Sequence, residues 1–254
     1  APQKTTSAQN ARTHQNNHID AWGLLMKAWP ILGLQGVLRA IDSSVDAAEE
    51  WCSIVKYAAR NVRGRFAVLV EGAGGGVLRF LTEAYSRKHY PSWLYLLSVL
   101  VVELASSDHE SQRQLFSSVT EVAQEFFTRF PSLDAMNEAR DNVEDFFRLQ
   151  IRCASHAPIA LLQHTPLLST TLQASVVAVR VNERNAQKAV LIFWSDFVGL
   201  ALPPRIRKDG KAAAHPLGKG GAERCEEAVI RTLMMPMVTN SEDAPQQQQQ
   251  QQQQ

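Results

Sequence analysis

A helical apolar stripe that recurs about every 45 to 48 residues constrains this chain more than any short motif in it. Trp51, Ile54, Val55, Ala58 and Val62 fall at i, i+3, i+4, i+7 and i+11, one face of a helix, with Glu50, Ser53, Lys56 and Arg60 elsewhere on its circumference. Ser43 or Ser44 offers the N-cap, because a serine oxygen can accept from the free amides of a first turn. Val143, Phe146, Phe147, Gln150 and Ile151 repeat the spacing behind Asp141, Glu144 and Asp145, which suit the positive end of a helix and read as solvated charge. Ala186, Ala189, Val190, Phe193, Trp194 and Phe197 make a third stripe, with Asn182 as its cap. Between Tyr90 and Ala105 the chain is apolar nearly all round, which predicts a helix covered on several sides.

Helical segments are expected near 19–41, 43–62, 65–86, 90–106, 110–130, 132–155, 158–179, 182–201 and 222–238. Paired in order, their first members start near 19, 65, 110 and 158, the spacing of HEAT or armadillo helix pairs. The expected fold is therefore all-α: an α-solenoid of about four to five HEAT-type helix pairs, each touching only its neighbours, with disordered termini.

Composition narrows the alternatives. The chain has 254 residues and 45% hydrophobic side chains, enough to bury a sizeable core. Its 26 basic and 25 acidic residues leave a formal charge of +1, so no global field draws it to nucleic acid or an anionic membrane. Cys52, Cys153 and Cys225 are far apart and odd in number, which signals neither a disulfide framework nor a zinc site and suits a reducing, intracellular setting. Trp93 to Val102 is too short an apolar run to span a bilayer. With no initiator Met and no apolar leader, the chain reads as an excerpt of a longer protein.

Five regions follow along the chain. Residues 1–17 form a polar disordered tail and 18–202 the solenoid; 203–221 is a basic Pro/Gly loop, 222–238 a further solenoid helix, and 239–254 a disordered polyglutamine tail. The loop gathers Arg205, Arg207, Lys208, Lys211 and Lys219 against Asp209 alone, so it is a candidate binding element.

Chemical motifs are scarce. Glu71 to Gly76 imitates a nucleotide loop, yet Val77 stands where the last fingerprint glycine belongs and no alternating strands follow, so a helix weakened in its middle is the better reading. His14 and His18 have i, i+4 spacing without a third ligand, and Cys52 and Cys153 read as core packing. No GxSxG, Walker or HExxH motif occurs, so neither an enzyme nor a cofactor is expected. Lys56, Arg60 and Arg63 make a basic strip, with Lys56 and Arg60 at i, i+4; such a strip would receive an acidic or phosphorylated ligand.

Several runs also carry a family likeness. Asn142 to Leu149, Arg152 to Pro158 and Asn182 to Asp196 resemble consecutive helices in the carboxy-terminal half of the transportin-SR import receptors, of the importin-β superfamily. Ile19 to Pro30, Cys52 to Arg60 and Ser92 to Leu100 fall in the matching order upstream. The resemblance implies a nuclear import receptor shuttling between cytoplasm and nucleus. It would carry serine/arginine-rich splicing factors, touch Phe-Gly nucleoporins and release cargo to Ran-GTP, with no direct contact to nucleic acid or membrane. It also implies that the helix from Glu49 to Arg60 receives the phosphorylated Arg-Ser tract, although Glu50 and Ser53 stand at two positions where the family has arginine. A HEAT scaffold outside transport is the alternative function.

Overall fold

The computed structural model describes residues 35–62, 66, 76–105 and 109–200, with the isolated positions 23, 27, 28 and 31. The expected tails, the basic loop 203–221 and the segment 222–238 lie outside the described residues. Ten helices are described, and no strand occurs among the described residues. They are α1 (Gln35–Ser43), α2 (Val45–Val62), α3 (Gly76–Arg87), α4 (Pro91–Leu104), α5 (His109–Arg129), α6 (Leu133–Glu138), α7 (Arg140–His156), α8 (Pro158–Gln163), α9 (Thr165–Ala178) and α10 (Arg184–Gly199).

These helices stack as an α-solenoid. In one row α2, α4, α7 and α10 pack side by side, and in the other α3, α5 and α9 do the same, with α1 closing against α2. Members of the first row begin at residues 45, 91, 140 and 184, so the sequence period is also the structural one. Bonds between repeats keep the same separation. Arg87 reaches back to Asp42 at 3.2 Å, and the backbone amide of Asn182 donates to Asn137 Oδ1 at 2.7 Å, each across 45 residues.

Ring contacts form the seams between pairs. Trp51 of α2, Phe80 of α3 and Trp93 of α4 meet with centroids 4.6 to 6.0 Å apart. Further along, Phe126 of α5 stacks on Phe146 of α7 at 4.1 Å within the third pair, and Phe147 of α7 reaches Phe193 of α10, in the fourth, at 5.8 Å. Phe126, Phe146, Phe147 and Phe193 are fully buried.

Capping follows sequence chemistry at some ends and departs from it at others. Ser44 Oγ accepts from the Ala47 amide and opens α2, as one of the two serines was expected to. Glu183, and not Asn182, caps α10: its carboxylate accepts from the Ala186 amide at 2.6 Å, and bonds from backbone amides hold it below the usual carboxylate range. Asn182 has its own amide committed to Asn137 instead.

Three expected segments are also divided or shortened. Helix α3 starts only at Gly76, whose φ of 60° lies in the left-handed region that side chains disfavour, so the expected segment 65–86 is not one described helix. The expected 132–155 breaks at Ala139 into α6 and α7, and 158–179 breaks at His164 into α8 and α9. Pro166 accounts for the second break, since a proline in a continuous helix would remove an amide and clash with the preceding turn. The buried stripe of α2 is likewise rotated from the expected one: Cys52 and Ala59 are buried with Trp51 and Val55, while Ile54 is 46% exposed.

Removing one ring tests the seam. Phe147→Ala should destabilise the chain by about 3–5 kcal/mol, as large-to-small changes in a filled core do. Urea unfolding followed by circular dichroism measures it, and a loss under about 1 kcal/mol would contradict the seam's role.

Candidate functional site

Burying Ala48, Trp51, Cys52, Val55 and Ala59 turns the opposite side of α2 outward. At about 100° per residue, Glu49, Ser53, Lys56 and Arg60 fall within about 60° of one another and form one ridge along the helix. Glu50 lies about 120° round the helix from Lys56, off that ridge. The two departures from the family's arginines are thus unlike in place: Ser53 stands between the ridge charges, and Glu50 stands apart.

The ridge borders α4. Lys56 Nζ is 5.1 Å from the centroid of the Tyr57 ring and 5.4 Å from that of Tyr95 on α4. Both tyrosines are exposed residues, at 59% and 40%. Arg60 Nε lies 4.0 Å from Glu103 Oε1, with the arginine half exposed and the carboxylate mostly covered. Contacts of this exposed kind contribute about 0.5–1 kcal/mol for a cation on a ring and about 0–1 kcal/mol for an ion pair. They orient the two cations without neutralising their capacity to meet a ligand. Lys56 and Arg60 are therefore brought to one edge, as their spacing predicted. Arg63 and the loop candidates Arg205, Arg207, Lys208 and Lys211 lie outside the described residues.

Sequence reading missed Tyr57, Tyr95 and Glu103. A signal existed for Tyr95, which puts a ring with a hydroxyl end inside an otherwise apolar run. Nothing local signalled Glu103, whose role depends on α4 lying beside α2.

Other groups weighed on sequence find structural places. Burial pushes the Cys52 and Cys153 thiols up to about 12, so both remain protonated and pack as small apolar groups. Among the described residues no group of three His, Cys, Asp or Glu gathers that could hold a metal ion, and no helix is long and apolar enough to cross a membrane. His14 and His18 lie outside the described residues.

The acidic start of α7 corrects the expectation of solvated charge. Only Asp141 of the three is exposed; Glu144 and Asp145 are largely covered, and Arg148 pairs with both. Burial pushes the Asp145 carboxyl up to about 6, opposed by Arg148 and reinforced by Glu144 and Asp141.

A solenoid of stacked helix pairs with a half-exposed edge of tyrosines and mixed charge, and buried inert thiols, defines a helical-repeat domain. Residues 22–130 match the family model of the Transportin-3/Importin-13 fourth TPR domain, a span that contains α1 to α5 and the whole α2–α4 edge. Over that span the chain is similar to a domain of the transportin-like karyopherins, and the match supports a protein of that kind. The family's description names the repeat TPR where the sequence spacing suggested HEAT; both are stacked two-helix units.

The Asp145 environment generates a pH prediction. A carboxyl raised from its ordinary range favours the folded state below about pH 4 and loses that contribution as pH rises through about 6. Asp145→Asn should therefore raise stability by about 1–2 kcal/mol near pH 7.5 and change it little near pH 4. Urea midpoints at the two pH values measure this; an equal effect at both would contradict the burial of the charge.

Proposed function

We propose that this chain serves a nuclear import receptor as a cargo-binding segment, with the α2–α4 edge as the contact surface. The cargo class is that implied by the family resemblance, a serine/arginine-rich splicing factor with a phosphorylated Arg-Ser tract. Shuttling between cytoplasm and nucleus, passage along Phe-Gly nucleoporins and release by Ran-GTP belong to the same reading and would be functions of the whole receptor.

The observation that carries it is the ridge on α2. Lys56 and Arg60 stand on one side of the helix, the lysine partly and the arginine half open to solvent, inside the span that matches the family model. Arg63 remains a candidate contact outside the described residues, and Arg205, Arg207, Lys208 and Lys211 make the second candidate surface. Guanidinium and ammonium groups recognise phosphate through charge-assisted bonds. Their exposure here sets a modest strength, because water and salt screen them.

The ridge geometry makes the test residue-specific. Affinity for a phosphorylated Arg-Ser peptide is measured on the full chain at two salt concentrations. Lys56→Ala/Arg60→Ala should weaken binding about tenfold and flatten its salt dependence, at about 0.7 kcal/mol for each lost exposed contact. Ser53→Arg should strengthen binding several-fold, whereas Glu50→Arg, off the ridge, should do so less. If all variants bind as wild type does, α2 is not the cargo surface and the loop from Arg205 becomes the candidate to mutate.

A further inference from the structure

Charge on the α2–α4 edge is balanced, not basic. Arg60 faces Glu103, and Glu49 stands on the same ridge as Lys56 and Arg60. A ligand carrying only phosphates would meet as many carboxylates as cations there. What distinguishes the edge is its pair of tyrosines. Lys56 Nζ lies over both the Tyr57 and Tyr95 rings, at 5.1 and 5.4 Å from their centroids, and the two tyrosines are themselves exposed to solvent.

We infer that Tyr57 and Tyr95 are arginine platforms, so that the edge selects a cargo segment in which arginines alternate with anionic groups. This rests on the α2–α4 edge being the cargo surface. An anionic group on the ligand meets Lys56 and Arg60 and removes the like-charge cost of a second cation beside them. The neighbouring arginine lays its guanidinium plane on an open tyrosine face and turns its fork toward Glu103 or Glu49. Arginine fits this better than lysine, because its planar, weakly hydrated cation stacks on rings while an ammonium holds its water. The tyrosines are thus specificity-determining residues, and phosphate recognition alone does not describe the edge.

Two peptides of equal charge separate stacking from electrostatics: one of alternating arginine and phosphoserine, the other with every arginine replaced by lysine. Binding is measured to the full chain as wild type, Tyr57→Leu/Tyr95→Leu and Lys56→Ala/Arg60→Ala. Leucine keeps apolar bulk at exposed sites, and circular dichroism checks that each variant stays folded. Wild type should prefer the arginine peptide about tenfold, and the leucine variant should bind both peptides alike. The Lys56→Ala/Arg60→Ala variant should lose affinity for both. If the leucine variant keeps the wild-type preference, or wild type shows none, the tyrosines are not platforms even though the edge binds cargo. If wild type binds neither peptide, the cargo assignment of the edge falls and this inference falls with it.

Discussion

Contact of large rings between successive helix pairs is the interaction on which the rest of this structure depends. A helix pair of this size has one apolar side too many, and in a solenoid that side is covered by the next pair. Here the covering is done by Trp51 against Phe80 and Trp93 between the first two pairs, and by Phe147 against Phe193 between the last two. Ring pairs of this kind add about 0.5–1.5 kcal/mol beyond the area they bury. Because they are bulky and rigid, they also fix how one pair is set against the next.

That setting makes the edge. Trp51 and Lys56 lie on different sides of α2, and Trp93 and Tyr95 on different sides of α4, so packing the two tryptophans edge to face brings Lys56 to Tyr95 on the outside. The buried seam and the exposed edge are two consequences of one helix-to-helix register. An exposed edge of this kind would need no pocket to meet a partner. It needs neighbouring helices held in place while their outer side chains stay free for a partner. Arg60 pairs with Glu103 at 4.0 Å, which orients the arginine while leaving it half open to solvent.

The solenoid is legible in the sequence because two periods coincide, the helical one within segments and one of about 45 residues between them. The stripes around Phe146 and Phe193 lie where their spacing puts them, since large apolar residues recurring along one side of a helix have to be covered by a neighbour. The stripe on α2 is displaced from its expected position because Ile54 and Cys52 flank the same arc, and only the neighbouring helices decide which of them is covered. Likewise the break at Ala139 has no local punctuation. Asn137, two residues before it, is tied to Asn182 in the following repeat, a bond a single segment cannot announce. Asp145 has the sequence context of ordinary charge at a helix start, and its burial comes from packing alone. At the candidate edge the cations are visible in the sequence through i, i+4 spacing, whereas Tyr95 and Glu103 enter only with the register of α4 against α2.

The central claim is that cargo sits on the edge between α2 and α4, and lysine footprinting reads it most directly. The full chain is treated briefly with an amine-acetylating reagent, with and without a saturating phosphorylated Arg-Ser peptide, and each lysine is quantified by mass spectrometry. Lys88 and Lys188 are exposed and lie away from the edge, which makes them internal references. The account predicts that peptide slows modification of Lys56 about tenfold or more while Lys88 and Lys188 react as before. Saturated binding that leaves Lys56 reacting at its free rate would contradict it.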